Sequence, residues 1–255
     1  RSHISKFFFS LIIFFIIFIL KKNVIYYFSY YFYLFTTLLL TSLIFLGIEN
    51  AGSKRWLDLG LYTIQPSELA KIGLILALSR YYCDFKQVQN NSILKVIIPF
   101  VLVLIPFYLI LNQPDLGTSL LLLFIGAAII FISGISFILI LLGLLLFSFG
   151  VPLIWGQLYD YQKRRILTFL NPENDPLGSG YHIAQSKIAI GSGGFWGKGY
   201  MNGSQSQLQF IPEIHTDFVF SIFSEEFGFF GSILIILLYM IIIAYGLIKS
   251  FSTQD

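Results

Sequence analysis

Residues 159–231 read YDYQKRRILTFLNPENDPLGSGYHIAQSKIAIGSGGFWGKGYMNGSQSQLQFIPEIHTDFVFSIFSEEFGFFG. On both sides the chain is apolar: there is no charged residue from Leu116 to Tyr159 and none from Phe227 to Ile248. Inside the stretch stand Arg164, Arg165, Lys187 and Lys198, a dense set of glycines, and two of the three histidines, His182 and His215. Asp217 lies where the chain turns apolar again. A non-periodic segment this long is either functional or disordered. Its many aromatic and aliphatic residues argue against disorder. The chemistry is expected here, in a long loop spanning 159–217.

Composition sets the class. The 255 residues are 56% hydrophobic and 11% charged, with 28 phenylalanines, where a soluble domain carries about 25% charged residues. The expected fold is an all-α polytopic membrane protein. A net charge of +3 without a basic run gives no footprint for nucleic acid, which is excluded as a partner. The single cysteine, Cys83, rules out an internal disulfide framework and a cysteine-built zinc site. The chain begins at Arg1, with no signal-peptide pattern or small-residue cleavage site visible, and stops at FSTQD just past an apolar run. Both ends suggest part of a longer membrane protein.

Length predicts the spans, since a helix needs roughly 20 apolar residues to cross a bilayer. They are Phe7–Leu20, stopped by Lys21 and Lys22; Val24–Ile48; a helix beginning near Gln65, with Pro66 in its first turn; Val96–Leu111; two spans within 116–159, hinged near Ser133–Ser136; and Phe227–Ile248. That makes about seven, separated by polar breaks such as ENAGSKRWLDLGLYTIQPSE. If the spans alternate, Lys21, Lys22, Arg80, Lys86, Lys95 and Lys249 fall on one side, which short-loop charge makes cytoplasmic. Trp56, Asp115, Asp217 and the 159–217 loop then face outward, together with Lys54 and Arg55.

Several residues invite two readings. Asp217 is an acid at a membrane boundary, a candidate general base; equally, Thr216 or Asp217 caps the last helix. Glu68 and Lys71, at i,i+3, share a helix face, as a structural ion pair or as a pair lining a cavity. Asp115 in NQPDLGT is a turn residue or a substrate contact. Arg164, Arg165, Lys187 and Lys198 suit phosphate or anionic lipid headgroups. GSGGFWGKG fails as a phosphate loop: Ser192 occupies the first required glycine position and Gly199 follows the lysine. Its glycines serve tight turns or close backbone approach to a ligand. His182 and His215 lack HExxH spacing, so no metal site is expected, though His215 could position Asp217. Glu225 and Glu226 read as buried partners or as charges at the mouth of a cavity. Asn90 and Asn202 fit the N-x-[ST] pattern, which is common by chance.

Taken together, KRWLDLGLYTIQPSELAKI at 54–72, QPDLGTSLL at 113–121 and the run from Arg164 to Gly231 resemble the SEDS family of polytopic cell-wall polymerases, the RodA and FtsW proteins. GKGYMNGSQSQLQF is most similar to the RodA branch, the rod-shape-determining proteins. The resemblance implies about ten helices, of which this chain would hold the second to the eighth as one SEDS-type domain over 1–255. It implies a multi-pass protein of the bacterial cytoplasmic membrane that polymerises lipid II on the outer face, in cell elongation and shape maintenance. It carries the family's essential acid onto Asp217, as base for an inverting transfer from an undecaprenyl-pyrophosphate-linked donor. It makes Arg164, Arg165, Lys187, Lys198, Asp115, Trp56 and Gln185 substrate contacts, and Glu68–Lys71 an ion pair shaping the cavity. Pyrophosphate charge would be balanced by loop cations, Lys187 and Arg165 first, or by a divalent cation, Mg or Mn. The implied partners are lipid II, the growing lipid-linked glycan, membrane lipids and a class B penicillin-binding transpeptidase. Two other classes compete. A lipid II flippase would show ionisable groups at the bilayer midplane and internal repeats. A non-catalytic scaffold for the transpeptidase would tolerate loss of Asp217.

Overall fold

The computed structural model describes residues 2–50, 53–58, 60, 63–85, 94–134, 155–156, 160–171, 178–207 and 217–252. Helices dominate them. The chain divides into two units, Arg1–Phe149 and Gly150–Asp255, each with its own packing.

In the first unit α1 (Ser2–Ile19) is apolar from Phe7 onward except for Ser10, and its Phe14, Phe18 and Ile19 are exposed. Leu20 and Lys21 separate it from α2 (Lys22–Leu46), which ends where the Gly47 amide donates to the Leu43 carbonyl. The polar break that follows is structured. It forms a three-stranded antiparallel meander of β1 (Ile48–Asn50), β2 (Ser53–Asp58) and β3 (Thr63–Ile64). Ile48 faces Trp56 and Leu57 faces Ile64, with an irregularity between Ile48 and Glu49. Strands of two to six residues leave little period-2 pattern to read, which is why a plain link was expected. Then α3 (Pro66–Phe85) starts on its proline, whose missing N–H costs nothing in a first turn. It is followed by α4 (Leu94–Leu111) and α5 (Leu116–Ile132).

Among the described residues two helices, Lys22–Leu46 and Val219–Ser252, are long and apolar enough to cross a membrane. Ser10–Ile19, Ile97–Leu111 and Leu116–Ile132 are shorter apolar helices. The second span expected within 116–159 lies outside the described residues, as do Lys86 and Asn90.

The core of this unit joins four helices: Leu40 and Leu43 of α2, Leu74, Ala77 and Leu78 of α3, Val103 and Ile110 of α4, and Leu122 of α5. Large apolar side chains crowd the outside as well, Phe35, Phe45, Tyr108 and Phe124 among them. Water would not tolerate such a surface; lipid does. In lipid there is no hydrophobic drive between helices, so dispersion and cross-helix hydrogen bonds hold them. Tyr33 donates to the Leu102 carbonyl at 2.8 Å, and Gln113 Nε2 to the Leu40 carbonyl at 3.1 Å. Arg80 of α3 reaches the carbonyls of Tyr26 and Tyr27 at 2.9 Å, and its guanidinium lies over the Tyr26 and Tyr30 rings. Tyr26 also donates to Asp84. Pro99 and Pro106 sit inside α4, both fully buried; neighbouring helices shield the backbone such prolines leave unpaired.

Small residues set the helix spacing. A Cβ at Gly126 of α5 would come closer than 3.0 Å to both methyls of Val103 on α4. Gly126→Ala therefore overpacks the contact, and we expect it to cost about 1–3 kcal/mol. Thermal unfolding in detergent reads this as a lowered midpoint. Val103→Ala in the same chain should recover part of the loss.

The second unit places helices within the segment expected as a long loop. Residues 159–217 contain α6 (Asp160–Leu170), α7 (Ser179–Ser192) and the single turn α8 (Ser204–Gln207). The last helix, α9 (Val219–Ser252), begins well before Phe227. Its first turns escape a hydropathy reading because they are inverted. Ser221, Ser224 and Glu225 are buried, while Val219, Phe220 and Phe227 are exposed. Polar groups face protein and apolar groups face outward, as a membrane setting permits.

Candidate functional site

In the first unit the polar groups gather around the turn 112–115. Asp115 is buried and caps α5: one carboxylate oxygen accepts from the Thr118 amide at 3.2 Å, the other from the Thr118 hydroxyl at 2.8 Å. Arg55 of β2 lies 3.6 Å from the same carboxylate and donates to the Pro114 carbonyl at 2.9 Å. The meander is thus clipped to the start of α5, with half-buried Trp56 beside the clip. From sequence alone Arg55 is only an outward charge; its partner is what places it here. Asp115→Ala should cost about 1–2 kcal/mol through the lost cap, and Asp115→Asn less, because its amide oxygen still caps. Thermal unfolding of the two variants separates the cap from the ion pair. One helix on, Lys71 and Glu68 of α3 pair at 2.8 Å, with Glu68 57% exposed and Lys71 18%. A pair this open contributes little to stability.

In the second unit the organising fact is a break in α9. Gly228 has φ 67 and ψ −163, which no helix continues through. A break there frees the carbonyls of Glu225 and Glu226 and the amides of Phe229 and Phe230. The turn 193–199 takes up all four. Lys198 N–H donates to Glu225 O and Gly199 N–H to Glu226 O, both at 3.0 Å; Phe229 N–H donates to Gly194 O at 2.9 Å and Phe230 N–H to Phe195 O at 3.2 Å. Buried backbone polar groups must be paired, and here a glycine turn supplies the partners. Close approach demands the glycines. A Cβ on Gly193 would come closer than 3.0 Å to the Ser224 carbonyl, and one on Gly197 equally close to the Glu226 carbonyl. GSGGFWGKG was expected to approach a ligand closely; the close backbone approach observed is instead to α9.

Side chains reinforce this interlock. Glu225, 0% exposed, accepts from Lys198 Nζ at 2.7 Å, from Ser204 Oγ at 3.0 Å and from the Gln205 amide at 3.2 Å. Lys198, expected among the substrate contacts, is thus held by Glu225 and also lies 2.9 Å from Ser204 Oγ. Ser186 of α7 meets Ser221 of α9 at 2.6 Å. The hydroxyls of Ser186, Ser204 and Ser221 were not singled out from sequence, where an isolated serine gives no signal. On α7, Lys187 is exposed and Gln185 half-buried; Arg164 of α6 is exposed. Arg165 lies on α6 as well. His182 Nδ1 is buried without a hydrogen-bond partner among the described residues. His215 lies outside them.

Asp217 stands in the turn just before Val219, exposed. Among the described residues its carboxylate has no hydrogen bond or ion pair, whereas Asp115, Glu68, Asp84 and Glu225 each have a basic partner. No three His, Cys, Asp or Glu side chains gather as a metal-holding group among the described residues.

A helical membrane protein with a broken last helix, an acid at its start and a glycine turn locked into the break defines the class. The family model for the FtsW, RodA and SpoVE proteins, described as cell cycle protein, matches residues 2–255, and the chain belongs to that family. Peptidoglycan glycosyltransferase MrdB of Escherichia coli strain K12 is 45% identical over 209 residues, 82% of this chain and 56% of that protein. The probable peptidoglycan glycosyltransferase FtsW of Buchnera aphidicola subsp. Schizaphis graminum is 37% identical over 202 residues, 78% of this chain and 56% of that one. The chain thus spans a little over half the length of these curated relatives. Among solved structures, a chain from a peptidoglycan synthase complex that coordinates polymerization and crosslinking aligns with TM-score 0.74 and 31% identity, over 96% of this chain and 67% of that one. The rod shape determining protein RodA of Thermus thermophilus aligns with TM-score 0.61 and 27% identity, over 92% and 60%.

Proposed function

We propose that the protein is a glycan-strand polymerase, a peptidoglycan glycosyltransferase that uses lipid II at the outer face of the bacterial cytoplasmic membrane. About seven of its helices cross that membrane, and the 159–217 segment faces outward. Asp217 removes the proton from the acceptor sugar hydroxyl. The freed oxygen attacks the anomeric carbon of the donor, the bond to undecaprenyl pyrophosphate breaks, and the anomeric centre inverts. The leaving group departs with its electron pair, so one base suffices. Arg164, Arg165 and Lys187 face the pyrophosphate charge; Trp56, Asp115 and Gln185 contact the substrate. A class B penicillin-binding transpeptidase cross-links the strands, as the assembly named for the first structural relative suggests.

The observation that carries this reading is the exposed Asp217 carboxylate, without a basic partner among the described residues. The test is to supply lipid II to the purified full-length protein in proteoliposomes. A polymerase converts it into long strands resolved on a gel. Movement of labelled lipid II between leaflets without strand formation would instead make the protein a flippase.

A further inference from the structure

The break at Gly228 has a mechanical consequence. Residues 217–227 are not a rigid extension of the span beyond Gly228. Their direction is set by what grips them: the backbone interlock with 194–199, the Ser186–Ser221 contact, and the bonds to Glu225. Of these, the Glu225 cluster is the most specific. A fully buried carboxylate is tolerated only when charge and hydrogen bonds compensate it. Here one carboxylate collects a lysine, a serine hydroxyl and a backbone amide, all from the 198–205 segment. Replacing a buried ion pair with apolar packing is often neutral or even stabilising. The cluster's directionality is what apolar packing cannot supply.

We infer that Glu225 is a positioning residue: by binding Lys198, Ser204 and the Gln205 amide, it fixes the angle of the short helical segment that carries Asp217. Val219 lies six residues before Glu225, about 9 Å along the helix at 1.5 Å per residue, and Asp217 stands in the turn just beyond it. A tilt of about 5° at Glu225 then moves Asp217 by about 1 Å, and a displacement of that size can cost on the order of 100-fold in rate. The inference rests on the polymerase reading and adds to it a residue that never touches the reacting atoms.

The experiment compares full-length wild type, Glu225→Gln and Asp217→Asn, each measured on its folded fraction from size exclusion. Strand formation is followed against lipid II concentration. Glu225→Gln keeps the volume but removes the charge that holds Lys198. The expected result is a fall in kcat of at least about tenfold with KM within about twofold, the signature of lost alignment rather than lost binding. Activity that tracks only the amount of folded protein, or a change confined to KM, would overturn the inference. Where Glu225→Gln does not fold, Lys198→Gln takes its place; Lys198 is 30% exposed, so the new amide can turn to solvent, and an unchanged kcat there overturns the inference equally. Asp217→Asn separates the two claims. If it is inactive while folded Glu225→Gln is normal, only the positioning role falls. If it is fully active, the polymerase reading with Asp217 as base falls first.

Discussion

Gly228→Val is expected not to accumulate as folded protein. At φ 67 and ψ −163 this residue occupies a region that is essentially glycine's alone, where a side-chain-bearing residue costs on the order of 1–3 kcal/mol. Space adds a second cost. A Cβ would come closer than 3.0 Å to the backbone nitrogen of Gly197 and to the carbonyl carbon and oxygen of Phe195. These are main-chain atoms, so no flexible side chain can yield. Relieving the overlap pulls the 193–199 turn away and breaks the four interlock hydrogen bonds. Each buried group left unpaired costs about 1–3 kcal/mol. The total exceeds about 5 kcal/mol, the lower end of what keeps an ordinary domain folded. Gly194→Ala is the control. Gly194 has φ +57, but nothing lies within 4 Å of where a Cβ would sit, so only the backbone cost remains, roughly 1–2 kcal/mol. Size-exclusion yield and thermal unfolding in detergent check both. A monodisperse Gly228→Val protein with a near-normal midpoint would show that the interlock is not needed.

How much of this could be read in the chain depends on the range of the forces involved. Membrane class follows from composition, because lipid selects apolar residues throughout. Pro66 at a helix start and Asp115 in a tight turn follow from local backbone chemistry, and the pairing of Glu68 with Lys71 from helical spacing. The meander at 48–64 was not legible: its strands are too short to show a period, and Arg55 gains its partner from a turn some sixty residues away. Nor were α6 and α7, because 159–217 mixes glycine, proline and charge and its helices are short. The first turns of α9 run inside-out, which a hydropathy profile reads as loop. The interlock was the least legible of all. GSGGFWGKG announces close backbone approach, but only the positive-φ Gly228 says to what. Glu225 was visible as an acid beside an apolar run, a reason to expect a buried partner, though Lys198 was read as facing substrate.

Asp217→Asn is the second large effect. The swap preserves size and turn geometry but leaves a neutral amide, which cannot accept a proton from the acceptor hydroxyl. General-base catalysis contributes about 10²–10⁴ to a rate, so strand formation should fall by at least about 100-fold. The carboxylate has no basic partner among the described residues, so no ion pair there is lost and the folded yield should stay near wild type. Lipid II binding should persist as well, because the cations assigned to the pyrophosphate are unchanged. The decisive measurement is therefore the rate of strand synthesis from lipid II by purified full-length Asp217→Asn protein, with lipid II binding measured on the same sample. Binding retained with synthesis lost by two orders of magnitude or more is the predicted result; a folded variant that polymerises at the wild-type rate would contradict the assignment of Asp217 as the base.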